Sequence, residues 1–322
     1  MRKPVSAASI LFAAVATFCL PGSAQEYPIR PVRLIVPYPP GGPTDFVGRT
    51  VAEKLTASLS QQIVVDNRAG AAAIIGHELG ARAAPDGYTL LFGTGGGLVI
   101  APIVHPKPPY RADKDFAAIS MLVVSPQIIV AHPSLPANSV KELIAAAKAK
   151  PGVYNFASVG IGSPNHFGGE LLKSMTGIDI VHVPYKGTAP AMTDLLGGQT
   201  QLMFTSMPSV LPHVKAGKLK ILATAGLKRS PVIPNVPAVA ETLPGFEVVT
   251  WYGILGPLKL PPGIVGKLNA EIVRVVALPD VQKRFGDQGL EPRSSTPEEF
   301  QAYMRKEVDK WQKVAQRAGI AR

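Results

Sequence analysis

Apolar and polar residues alternate along this chain in blocks that change period. Residues 32–36 are a short apolar run, read as a strand. Residues 45 to about 61 follow, with Phe46, Val47, Val51, Leu55 and Leu59 near helical spacing. Residues 63–65 give the next strand, 77–84 a helix, Asp86-Gly87 a turn and 88–92 a strand. This is βαβα writing, and it predicts a mostly parallel sheet. The middle repeats the pattern. Strands are expected at 128–131, 155–158, 180–183, 202–204 and 219–223, with helical segments between several of them. Ser139 and Glu142 form a capping box ahead of an Ala- and Lys-rich helix. Two long helices close the chain. The second opens at Thr296-Pro297-Glu298-Glu299, with Thr296 as N-cap and proline at the first helical position. Its Phe300, Tyr303, Met304, Trp311 and Val314 make an apolar stripe suited to packing. No linker divides the chain into contiguous halves, so two domains would require the chain to cross between them more than once.

The first residues read differently. Arg2 and Lys3 precede an apolar stretch of 11 residues, 10–20, which is too short to span a bilayer. Pro21-Gly22-Ser23-Ala24 then places small residues at a cleavage site. The expectation is a signal peptide, residues 1–24, that exports the chain to a bacterial periplasm. Cys19, the single cysteine, lies inside it after Phe18, a poor lipidation context. The mature chain then has no disulfide, thiol nucleophile or cysteine-ligated metal.

At 322 residues with 46% apolar and 17% charged residues, the chain can fill two cores and is not disordered. Lys and Arg number 33 against 22 Asp and Glu, a net +11; without Arg2 and Lys3 it is +9. Such a field attracts anions. The basic residues never run beyond pairs such as Lys283-Arg284, and no aromatic-basic platform accompanies them, which argues against nucleic acid.

Four loops, each after an expected strand, could carry chemistry: Pro37 to Asp45, Gly93 to Gly97, Ser158 to His166, and Pro184 to Thr188. Glycines let backbone approach a ligand, and following helix N-termini offer free N–H groups to an anion. Enzyme motifs fail. Neither glycine loop completes a dinucleotide fingerprint, no GxxxxGK(S/T) occurs, and Phe156 stands where a nucleophile elbow needs glycine. The six histidines show no metal-ligand spacing.

Several longer motifs carry a resemblance. They are the run from Tyr27 to Asp45 (YPIRPVRLIVPYPPGGPTD), Val65-Asp66-Asn67-Arg68-Ala69-Gly70, and Ala84-Pro85-Asp86-Gly87-Tyr88-Thr89-Leu90. Ser163-Pro164-Asn165-His166 and Val183-Pro184-Tyr185-Lys186-Gly187 complete the set. In order and along the whole mature chain, they resemble the Bug family, the substrate-binding proteins of tripartite tricarboxylate transporters. The resemblance implies an α/β, type II periplasmic binding-protein fold: two α/β domains joined by two crossing strands, with a ligand cleft between them. With crossings near Ser125 and Ala225, domain one is 25–125 plus 226–322 and domain two 126–225. It implies a monomer without cofactor or metal, which captures a small carboxylate and contacts a membrane permease transiently.

Carried over by motif, Tyr38, Pro39, Gly41, Gly42, Thr44 and Asp45 would grip one end of the ligand. Ser158, Gly162, Ser163, Asn165 and His166 would hold the carboxylate. Tyr185 and Gly187 would close the site, and Thr94 would line it. Thr205-Ser206 stands where many members carry an acidic or amide residue. That departure points away from an amino-acid ligand and toward a di- or tricarboxylate or an aromatic acid. Two other readings stand beside binding for transport. One is an exported hydrolase using Ser158 or Ser163 with His166; the other is a protein that presents ligand to a sensor.

Overall fold

The computed structural model describes residues 27–105, 107–185, 187–231 and 233–320. The expected signal peptide and Lys186 lie outside the described residues.

The first sheet has six strands in the order β11-β4-β10-β3-β1-β2. Its parallel part is β1 (Val32–Val36), β2 (Ile63–Asn67) and β3 (Thr89–Thr94), with β1 between the other two. Helices α1 (Pro43–Leu59) and α2 (Ile74–Ala81) make the crossovers. A π-helical turn, Gly95–Ile100, and the short α3 (Ala101–Val104) follow β3. Then comes β4 (Phe116–Pro126), which pairs antiparallel with β10 (Val249–Pro257) and β11 (Glu291–Pro292).

The second sheet has five strands in the order β7-β6-β8-β5-β9. They are β5 (Ile128–Ala131), β6 (Asn155–Ser158), β7 (Val181–Pro184), β8 (Leu202–Thr205) and β9 (Lys220–Thr224). Helices α4 (Val140–Ala149), α5 (Pro164–Thr176), α6 (Thr188–Leu196) and α7 (Met207–Lys215) join them. The chain ends with α8 (Pro262–Val276), α9 (Pro279–Gly286) and α10 (Pro297–Arg317).

Both sheets are mixed, which corrects the expectation of a mostly parallel sheet. β4 and β10 are absent from the hydrophobic-period reading, and both run antiparallel to their neighbours. No helix separates β4 from β5. The strand passes straight from one sheet into the other through Gln127. β5 pairs antiparallel with β8 and β9. The expected pair of long C-terminal helices is present as α8 and α10, with the short α9 between them, opening at Pro279.

Helix α10 is set by its own ends and its stripe. Thr296 Oγ1 accepts from Glu299 N–H, and the Glu299 carboxylate accepts from Thr296 N–H, a complete capping box. Phe300, Met304, Trp311 and Val314 are buried. Phe300 meets Trp251 of β10 edge-to-face at 5.4 Å, and Trp311 meets Phe167 of α5 at 5.5 Å. The last helix therefore packs on the first sheet and on α5, the helix over the second, and all share one apolar cluster.

Candidate functional site

Where the sheets join, a cavity of about 300 Å³ opens. Its floor comes from the crossing segments: Ser125, Gln127, Thr250 and Tyr252. Three backbone hydrogen bonds hold those segments together: Gln127 N–H to Val248 O at 3.0 Å, Ala225 N–H to Gln127 O at 2.7 Å and Val248 N–H to Ala225 O at 2.7 Å.

The walls are helix beginnings. Pro43 opens α1, Pro164 and Asn165 open α5, and Thr188 opens α6. Ser206 caps α7, and Ser209 lies in its first turn. Four helix N-termini thus converge on one cavity, each contributing partial positive charge. Phe46, Val159 and Leu290 supply apolar surface, and Thr205 and Gln288 complete the lining. Among the described residues no Lys, Arg, His, Asp or Glu lines it. Burial pushes the Tyr252 phenol up to about 12, so this side chain stays neutral.

Of the residues named from sequence, the structure brings Asn165 and Thr205 to the cavity wall. The first loop stands beside it. Pro39 and Gly41 are exposed, Gly42 is the N-cap of α1, and Thr44 and Asp45 are buried. Asp45 organises this loop. Its carboxylate accepts from Gly41 N–H at 2.9 Å, Asn67 Nδ2 at 2.9 Å and Arg49 Nε at 2.9 Å. Asn67 also donates to Tyr38 O at 3.0 Å. Burial acts to raise the Asp45 pKa, but the three donors outweigh it and hold the group below the usual carboxylate range. Tyr38 Oη and Thr94 Oγ1 bond to each other at 3.0 Å, and Thr94 caps the turn after β3 by accepting from Gly97 N–H.

Asp45→Ala removes the shared acceptor of Gly41 N–H and Asn67 Nδ2, both partly buried hydrogen bonds to a buried carboxylate. The expected loss is about 1–2 kcal/mol of unfolding free energy, nearly all of it from the bonds to Gly41 and Asn67. Arg49 is more than half exposed, so its ion pair adds little. Urea unfolding checks this, and a loss under about 0.5 kcal/mol would contradict the organising role.

The third loop is held from behind. Ser163 caps α5, accepting from His166 N–H at 3.3 Å and donating to Gly160 O at 2.7 Å. Gly162 adopts φ +81°, and its N–H donates to His166 Nδ1 at 3.3 Å. Ser158 and His166 do not reach the cavity; they are 0% and 3% exposed. His166 stacks on His182 at 3.8 Å between ring centres, and His182 Nε2 meets Ser158 Oγ at 2.6 Å. A Ser–His pair exists, but with His182 rather than His166. Its hydroxyl is enclosed and also engages Gly160 N–H and O. This cluster supports the loop. Tyr185 turns away and donates to Asp194 at 2.7 Å, while Gly187 caps α6 at φ +117°.

Sequence reading missed Gln127, Thr250, Tyr252, Gln288 and Leu290 as cavity residues. They sit on the crossing segments or after α9, and no motif marks them.

A small cavity at a strand crossing, ringed by helix N-termini, defines a solute-binding protein rather than a scaffold. Comparison with known proteins agrees. Residues 47–320 match the tripartite tricarboxylate transporter family receptor model, TctC. The chain is 38% identical to Protein BugT of Bordetella pertussis over 311 residues, 96% of this chain and 95% of that one. It superposes on Rpa4515 of Rhodopseudomonas palustris, solved with adipate, at TM-score 0.75 and 33% identity, covering 92% of this chain and 99% of that chain. MatC of the same organism, solved with malate, gives TM-score 0.71 and 33% identity over 89% and 99%. This chain belongs to the TctC/Bug family of solute-binding receptors, and its fold is that of periplasmic binding proteins.

Proposed function

We propose that this protein captures a small di- or tricarboxylate, or an aromatic acid, in the periplasm and delivers it to the permease of a tripartite tricarboxylate transporter. The carrying observation is the convergence of four helix N-termini on a cavity without charged side chains among its described lining residues. Backbone dipoles and neutral hydroxyls stabilise an anion there, yet no buried cation holds it too tightly for release. Thr205 and Ser206 offer no carboxylate to a ligand ammonium, which favours acids over amino acids. Relatives that carry adipate and malate support the same ligand class.

In this reading residues 25–125 and 226–322 form one domain and 126–225 the other, and they close on the ligand about the crossing at Gln127. Closure excludes water and shifts an open–closed equilibrium that the permease reads. The protein binds as a monomer and does not turn its ligand over. Export by a cleaved leader, residues 1–24, places it in the periplasm. Among the described residues no helix is long and apolar enough to cross a membrane.

Titration calorimetry of the mature protein against adipate, malate, citrate, benzoate and glutamate tests the reading. At least one acid is expected to bind with a Kd of about 1 µM or tighter, or about −8 kcal/mol. Small-angle scattering should show a smaller radius of gyration at saturation. Tightest binding of glutamate, or an unchanged scattering curve with a saturating acid, would overturn the ligand class or the closure respectively.

A further inference from the structure

Gln127 is the one residue between β4 and β5, and its backbone makes two of the three hydrogen bonds that tie the crossing together. Its side chain makes two more. Nε2 donates to Thr250 Oγ1 at 3.1 Å, and Oε1 accepts from Asn165 Nδ2 at 3.4 Å. Thr250 belongs to β10 in the first sheet and Asn165 to α5 over the second. All three line the cavity, with Gln127 5% and Asn165 8% exposed.

We propose that Gln127 is the positioning residue that sets the ligand-facing donors of both halves. This rests on reading the cavity as a carboxylate site. Thr250 Oγ1 accepts from Gln127, so its own O–H proton is left to donate to a ligand in the cavity it lines. Asn165 Nδ2 gives one hydrogen to Phe204 O. Its other hydrogen goes to Gln127 Oε1 over the longest of these contacts. A carboxylate oxygen competes for that hydrogen, because a hydrogen bond to an ionised acceptor is the stronger one. Gln127 lies on the crossing itself, so its side chain moves least when the halves rotate. The ligand therefore meets the same pair of donors in the open and the closed protein, and they select an acid group by its need for donors.

Three variants decide the matter: Gln127→Met, Gln127→Glu and Thr250→Val. Met keeps the stem and removes both polar links. Affinity for the tightest-binding probe of adipate, malate, citrate and benzoate is expected to fall roughly tenfold, one buried hydrogen bond's worth. Glu distinguishes positioning from filling. Protonated, it donates to Thr250 and accepts from Asn165 as the amide does. Ionised, it still accepts from Asn165 but can no longer donate to Thr250, and it repels the ligand. The ratio of Gln127→Glu to wild-type affinity is expected to lie near one at pH 5 and to fall about tenfold by pH 8. The same deficit at every pH would overturn the proposal.

A ligand-free measurement runs beside these. In urea unfolding, Gln127→Met and Thr250→Val are expected to be non-additive, the double mutant costing about fivefold less in the unfolding constant than the two singles combined. Additive losses would overturn the link. If wild-type protein binds none of the four acids, the functional reading fails, and the mutant cycle alone still decides the wiring.

Discussion

Between pH 7 and pH 4 the folded protein is expected to lose at least about 3 kcal/mol of stability, through histidines held neutral inside it. Burial lowers His166 to about 3, with further lowering from His182 and Lys173. Burial lowers His182 to about 4, aided by Lys173. Burial lowers His77 to about 4 against a hydrogen bond to Ala73 O. The geometry explains the direction. His77 Nδ1 is bonded to Ala73 O, and its buried Nε2 has no partner to receive a proton's charge. His166 Nδ1 already accepts from Gly162 N–H, so protonation there sets donor against donor. Two imidazolium rings at 3.8 Å would also repel. Glu170 lies 4.0 Å from His166 but is engaged by Lys173 at 3.1 Å.

The sign follows from proton counts. All three folded pKa values lie below the ordinary 6.5, so the unfolded chain binds more protons below that pH. Their contribution is complete above about pH 6.5 and is lost as pH falls toward 4. Asp45 and Asp66, whose pKa values are lowered, add their losses only below about pH 4, so the windows separate. Urea midpoints at pH 7.5, 6, 5 and 4 measure the slope. His166→Asn should reduce it. Midpoints that stay level from pH 7 to pH 5 would refute the buried-neutral assignment. Because His166 and His182 support residues 158–163, ligand affinity should decline in the same window.

Gly169→Leu is expected to prevent the second sheet from folding. Glycine inside a helix costs about 1 kcal/mol against alanine, so α5 should gain from its replacement. The packing reverses that expectation. A β-carbon at Gly169 would lie within 2.6 Å of Phe156 Cδ2, and closer still to the next two ring atoms. Phe156 is 0% exposed and is stacked on His182, so it has nowhere to turn. Gly168 is similarly placed over Phe204, at 2.7 Å from Cδ1. The two glycines let α5 lie directly on β6 and β8, which places Pro164 and Asn165 at the cavity. Gly169→Ala should cost about 2 kcal/mol and weaken binding by displacing the helix start. Gly169→Leu should leave soluble protein without a cooperative unfolding transition. A stable, binding-competent Leu variant would show that α5 can shift freely.

The first loop illustrates how much was legible. Its glycines and prolines announce a turn into a helix, and α1 begins there. The partnership of Asp45 with Asn67 is not readable from spacing, because it joins the loop after β1 to the end of β2. His166 illustrates the opposite case. Its place after a Gly/Ser loop suggests a ligand contact, yet the ring lies under the loop on His182, which sequence reading never paired with it. Thr205 and Asn165 reach the cavity because each ends or begins an element whose direction the period already indicates.

Only local, periodic features are legible in the chain alone. Alternating apolar periods, capping boxes and Gly/Pro turns define nearly every strand and helix of the βαβ units, since each depends on neighbours a few residues away. The mixed sheets, the cavity and its floor were decided only in three dimensions. β4 and β10 are long apolar strands without a distinguishing period, and their pairing joins residues more than a hundred positions apart. Gln127, Ala225 and Val248 meet only because those strands cross. The helix N-termini converge on one cavity only because four separate helices begin on the same side of that crossing.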